Sequence, residues 1–172
     1  VDASLVSEPV ESARLARVPR ADGTVLELRL HETERTDAAI LWIHGGGMFL
    51  GSARQDDALC RSLSSALGTT VAAVDYRLAP EHPHPAPLDD CYTALDWLAR
   101  RYPRVVVAGG SAGGGLAAGL ALLTRDRSGP AVAGLHLSYP MLDDRESPMI
   151  TSELADTVVW NARLDALAWE AY

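Results

Sequence analysis

The sequence predicts an α/β fold: a mostly parallel sheet with helices on both faces. Three observations predict it. Strand-like and helix-like runs alternate from residue 38 to residue 140, which is the pattern of βαβ units. The runs at 38–43 and 104–108 are continuously apolar, as expected of parallel strands buried on both sides. With 172 residues, 48% of them hydrophobic, the chain has the material for one core. Residues 1–148 read as that core domain, and 149–172 as the start of a helical cap.

The elements follow in order. Residues 10–17 and 24–31 are short strand-like runs joined through Pro19, Asp22 and Gly23, a turn signal. In the second run Val25, Glu27 and Arg29 alternate with Leu26, Leu28 and Leu30, so it is half-buried and antiparallel to its neighbour. The strand at 38–43 opens into His44-Gly45-Gly46-Gly47, whose amides are exposed with no side chains in the way. A helix follows, with Ser52 as N-cap, Asp56 and Asp57 in its first turn, and an apolar face of Leu59, Leu63, Ala66 and Leu67 ended by Gly68. Residues 70–74 form the next strand. The proline-rich segment to Pro87 is irregular, and a helix spans 88–100 with Leu88, Cys91, Leu95 and Leu98 at helical spacing. The strand at 104–108 runs into a helix reaching Arg125, and 131–138 is the last strand. From 152 to 172 the chain is helix-prone, with Leu164, Leu167, Ala168 and Ala171 on one face.

Composition narrows the functions. The net charge is −8 with dispersed acidic residues, which argues against nucleic acid and anionic membrane surfaces. All 15 basic residues are arginine, so this sequence offers no P-loop, Schiff-base or general-base lysine. Cys60 and Cys91 lack metal-ligand spacing and read as buried free thiols. With no metal cluster and no dinucleotide fingerprint, no cofactor is expected. No apolar run is long enough for a membrane span and no signal peptide is visible, so a cytoplasmic location is the default expectation.

The chemistry concentrates at 106–119. There Gly109-Gly110-Ser111-Ala112-Gly113 follows a strand and opens a helix, the G-x-S-x-G pattern of a nucleophile elbow. A side chain two residues before or after the serine would collide with the neighbouring strand or helix, hence the glycines. The Ser111 hydroxyl would then stand at the sheet's carboxyl edge and at a helix N-terminus, whose free N–H groups favour a developing anion. In a chain with 14 glycines the pentapeptide alone also fits a glycine-rich turn with an idle serine, so its context must decide.

Three blocks supply that context: His44-Gly45-Gly46-Gly47; Tyr76-Arg77-Leu78-Ala79-Pro80-Glu81-His82-Pro83 with Pro85-Ala86 and Leu88-Asp89-Asp90; and Ser111-Ala112-Gly113-Gly114. In order and spacing they resemble the hormonesensitive-lipase-like (bacterial family IV) esterases and lipases of the α/β-hydrolase fold, over about residues 20–145. The resemblance implies a serine carboxylesterase acting on small-molecule esters of short-to-medium acyl chains. Ser111 is its nucleophile, and the backbone amides of Gly46, Gly47 and Ala112 form its oxyanion hole. His44 and Gly45 shape the oxyanion loop, the proline-rich segment buttresses it, and Met48, Phe49 and the cap around Trp160 to Trp169 set the pocket.

Two departures stand out. Gly110 occupies a place where the family usually has an acidic residue. In this fold the triad also runs serine, acid, histidine along the chain. After Ser111 the sequence holds only His136, inside a predicted strand, while Asp143, Asp144, Asp156 and Asp165 read as surface or cap residues. The expectation is therefore a chain carrying the fold's first six strands, without the last two and without the acid and base. Residues 131–138 would then be an unprotected sheet edge through which the chain can form a homo-oligomer. A non-catalytic, receptor-like binder of the same fold and an inactive fragment are the alternatives.

Overall fold

A computed structural model describes residues 13–35, 37–145, 157 and 160–172. Six strands form one sheet in the order β1-β2-β4-β3-β5-β6. They are β1 (Arg14–Pro19), β2 (Val25–His31), β3 (Ala39–Ile43), β4 (Thr70–Asp75), β5 (Val105–Gly110) and β6 (Gly134–Ser138). β2 pairs antiparallel with β1 and β4, and the pairs β3–β4, β3–β5 and β5–β6 are parallel. The α/β expectation holds, antiparallel start included.

Among the described residues four helices accompany the sheet: α1 (Asp57–Leu67), α2 (Ala86–Ala99), α3 (Ala112–Asp126) and α4 (Ala162–Ala171). Side chains alternate along the strands, so the sheet has two apolar faces. Leu41, Ile43, Ala72, Val74, Val105 and Val107 join Cys91, Leu95 and Leu98 of α2 and Leu116 and Leu120 of α3 in the larger core. Trp42, Val71, Ala73 and Ala108 face the other way, toward Ala53 and Cys60 of the α1 side. Both thiols are free and buried, and burial pushes that of Cys60 up to about 12.

Ser52 precedes a short 3₁₀ turn, Ala53–Asp56, rather than α1 itself. The predicted face of α1 is corrected: Leu59, Ala66 and Leu67 are exposed, while Cys60 and Ser64 are buried. Anchors at its start set this rotation. Asp56 accepts the Trp42 indole N–H at 2.7 Å, Asp57 accepts from Arg29 Nε at 2.8 Å, and Ser64 Oγ is satisfied by donating to the His31 carbonyl at 2.9 Å. α2 begins at Ala86, because Pro87 fits a helix's first turn, where a missing N–H costs nothing.

α4 starts at Asn161, whose Oδ1 accepts the Leu164 amide at 3.0 Å. Ala168 is buried, Trp169 and Tyr172 pack on the larger core, and the His84 amide donates to the Tyr172 carbonyl at 2.7 Å. Leu167, expected on the buried face, is exposed instead, because the two aromatic side chains take the contact. Residues 10–12 of the first predicted strand and 149–156 of the predicted cap lie outside the described residues.

Candidate active site

β5 runs through Gly109 and Gly110 and ends at Ser111, which α3 follows without a spacer. Ser111 has φ 54° and ψ −122°, a strained conformation for a residue with a Cβ, of the kind that costs about 1–3 kcal/mol and clusters at functional sites. Surrounding contacts hold it there. Its amide donates to the Ser138 carbonyl at 3.0 Å, and its carbonyl accepts from Met141 at 2.9 Å. Close packing explains the glycines around it. A methyl group on Gly113 would overlap the carbonyl oxygens of Ile43 and His44, and one on Gly109 would overlap the Gly113 carbonyl.

The pairing of Ile43 with Gly109 brings the end of β3 beside the elbow. The loop that leaves β3 therefore starts against Ser111: a methyl group on Gly45 would sit 3.1 Å from the Gly110 oxygen and 3.3 Å from Ser111 Cβ. Gly46 (φ 123°) and Gly47 (φ 60°) turn the loop back through backbone that L side chains rarely adopt. Among the described residues neither amide has an acceptor. Ala112 opens α3, so its amide is one of the free donors of a helix's first turn.

His44 lies under this loop. Its ring is buried, stacks on Tyr76 with centroids 4.2 Å apart, and places Nδ1 2.8 Å from the Gly45 carbonyl. A carbonyl only accepts, so Nδ1 carries the proton. Burial pushes the imidazole pKa down, and Nε2 has no partner among the described residues. Tyr76 donates its hydroxyl to the His44 carbonyl at 3.0 Å, and the Ala79 amide donates to the Met48 carbonyl at 2.9 Å. The proline-rich segment thus touches the loop, as a buttress would.

Ser111 and Gly46 line one open cleft of about 810 Å³. Its walls are mainly apolar: Leu50, Tyr139, Met141, Leu142 and Trp160 contribute, with Asp143 and Asp165 as the two carboxylates.

The family model described as alpha/beta hydrolase fold matches residues 40–172. The chain belongs to that family. It is 38% identical over 132 residues to esterase LipI of Mycobacterium tuberculosis, covering 72% of this chain and 41% of LipI. It is 37% identical over 139 residues to carboxylesterase NlhH of the same organism, covering 76% and 44%. Among solved structures it superposes on a bacterial heroin esterase with TM-score 0.85 at 36% identity, covering 97% of this chain and 57% of that one. Esterase LipW from Mycobacterium marinum gives TM-score 0.85 at 34% identity, covering 94% and 54%. The chain spans less than half the length of these two curated relatives. Its likeness to the esterases and lipases of the fold, hormone-sensitive lipase included, agrees with the three sequence blocks.

The tertiary structure also revises the site. Met48 is a core residue, buried behind the loop, and Phe49 is not among the described lining residues of the cleft, its ring lying 6.3 Å from that of Trp160. Asp143 and Asp165, read as surface or cap residues, line the cleft. His136 lies on β6, exposed, with Nε2 3.0 Å from Ser138 Oγ, and is not among the cleft residues. Gln55 was missed: its amide Nε2 donates to the Gly45 carbonyl at 3.3 Å. Its place three residues after Ser52 was the available signal, a capping pattern that bends the chain back to the loop. Tyr139 was also missed; its φ of 37° and exposure follow from the Tyr139-Pro140 corner, which no periodicity marks.

Proposed function

We propose that this chain carries the nucleophile and oxyanion hole of a serine carboxylesterase. The observation that supports this reading most is the single cleft shared by a strained Ser111 and the glycine loop at Gly46. Relatives named as esterases and carboxylesterases supply the reaction class.

In the proposed reaction, Ser111 Oγ attacks the ester carbonyl while its proton passes to a base. The tetrahedral oxyanion is held by the amides of Gly46, Gly47 and Ala112. Loss of one such donor typically slows catalysis about 10²–10³-fold. Collapse expels the alcohol and leaves an acyl group on Ser111, which water then removes as the carboxylic acid. His44 acts as a prop for the loop. Its Nδ1–H is committed to the Gly45 carbonyl and Tyr76 packs against its ring, so it is not offered as the base.

The acid and base are proposed to come from sequence beyond these 172 residues, downstream of β6. The serine–acid–histidine order of the fold and the 41–44% coverage of the relatives support this. Oxyanion hole and binding alone leave a residual of about 10³–10⁴-fold over water, so the 172-residue chain is expected to show trace activity on activated esters. The test has two parts. In the complete enzyme, with the downstream acid and base, a fluorophosphonate probe should label Ser111, and Ser111→Ala should abolish both labelling and p-nitrophenyl butyrate hydrolysis. Undiminished hydrolysis by Ser111→Ala would refute the assignment.

A further inference from the structure

The charge of the cleft is one-sided. Among its described lining residues there is no arginine or histidine, and the sequence has no lysine. Its two carboxylates differ. Asp143 is taken up by Arg145, which donates Nε at 2.7 Å, Nη2 at 2.6 Å and its backbone amide at 3.1 Å. Asp165 has no ion pair among the described residues; Oδ1 accepts the Trp160 indole N–H at 3.1 Å. That bond fixes the carboxylate at the edge of an aromatic ring in the same cleft, with Tyr139 also in its wall. An unneutralised carboxylate, two aromatic rings and the apolar surface of Leu50, Met141 and Leu142 have the makings of a cationic-nitrogen subsite. The ring faces and the charge attract the cation, and the apolar groups take its methyls.

We infer that this cleft selects esters bearing a quaternary ammonium or protonated amine, with Asp165 and Trp160 receiving the cation, an inference about substrate class that rests on the esterase reading. The same geometry disfavours anionic esters, since their charge would meet Asp165 with no cation among the described lining residues to offset it. Because the cleft is open to solvent, the preference is modest and weakens as salt screens the charge.

The test, made on the complete enzyme with its downstream acid and base, compares butyrylcholine with 3,3-dimethylbutyl butyrate, in which carbon replaces the charged nitrogen. Wild type should favour the choline ester by about tenfold in kcat/KM at low salt, the size expected of one exposed charge contact with a cation–π contact. The ratio should fall toward one in Asp165→Asn and stay high in Glu170→Gln, which removes the same charge from an exposed site on α4. A ratio near one in wild type overturns the inference. Binding is read separately by titrating tetramethylammonium chloride and following the Trp160 indole N–H resonance. A saturable shift lost in Asp165→Asn supports the subsite, and no shift in wild type overturns it. The two readings fail differently. Hydrolysis of p-nitrophenyl butyrate without charge preference sinks only the subsite. A tetramethylammonium shift without Ser111 labelling sinks only the esterase.

Discussion

At the scale of single residues, the glycines of α3 separate by what stands against them. A methyl group on Gly113 would overlap the backbone of Ile43 and His44, but one on Gly119 would meet only Leu88 at 3.6 Å, an ordinary contact. Gly113→Ala should therefore destabilise the fold by about 2 kcal/mol or more, since the backbone it strikes cannot yield. Gly119→Ala should stabilise it by about 0.5–1 kcal/mol through helix propensity. Urea denaturation of the two variants checks both signs. Histidines carry a second prediction. Burial lowers the pKa of His44 and of His31 from their ordinary 6.5, although Asp57 partly opposes the shift at His31. The unfolded chain then binds protons that the folded chain refuses. Stability should be full above about pH 6.5 and fall as the pH drops through that value toward the depressed ones. Asp143, held down to about 2 by Arg145, titrates far below this range. Equal stability at pH 7.5 and pH 5.5 would contradict this.

At the scale of elements, Asp90 on α2 ties three segments together. It is 1% exposed and accepts from Arg20 Nε at 2.7 Å, from Arg77 Nη2 at 2.9 Å, and from the Arg77 backbone amide at 2.9 Å. Arg20 leaves β1 and Arg77 starts the proline-rich segment, so one carboxylate holds both against the helix. Asp90→Ala would leave Arg20 without its carboxylate and Arg77 with only Asp22, 3.2 Å away, and should cost about 3 kcal/mol in thermal or chemical unfolding. Because Tyr76 and Ala79 brace the glycine loop, any activity of the variant should fall as well. Much of this was legible in order but not in contact. Leu88-Asp89-Asp90 stood out as part of a block, yet nothing in its spacing says which of the two aspartates turns inward. The α1 face shows the same limit, because leucines at helical spacing lost to a rotation imposed by Trp42 and Arg29.

At the scale of the molecule, the described sheet ends at β6, which among the described residues pairs only with β5. Leu135 is 45% exposed there, His136 is exposed, and the far side of the strand offers its backbone groups to a partner. The 172-residue chain in solution should self-associate along this edge. Sedimentation velocity should show a concentration-dependent species heavier than the 18.4 kDa chain, and Leu135→Lys should reduce it. A monomer at every concentration would refute the edge as an interface. No described helix is long and apolar enough to cross a membrane.

The order of elements, the parallel core and the serine at a tight strand-to-helix turn were determined by sequence alone. Each depends on local pattern: apolar runs, helical spacing, and glycines where a Cβ cannot fit. Only the tertiary structure decided which carboxylates share the serine's cleft, which side of α1 meets the sheet, and how far α4 brings Trp160 and Asp165 toward Gly46. Those depend on side chains meeting across long sequence separations, where small rotations choose the partner and local pattern carries no record of the choice.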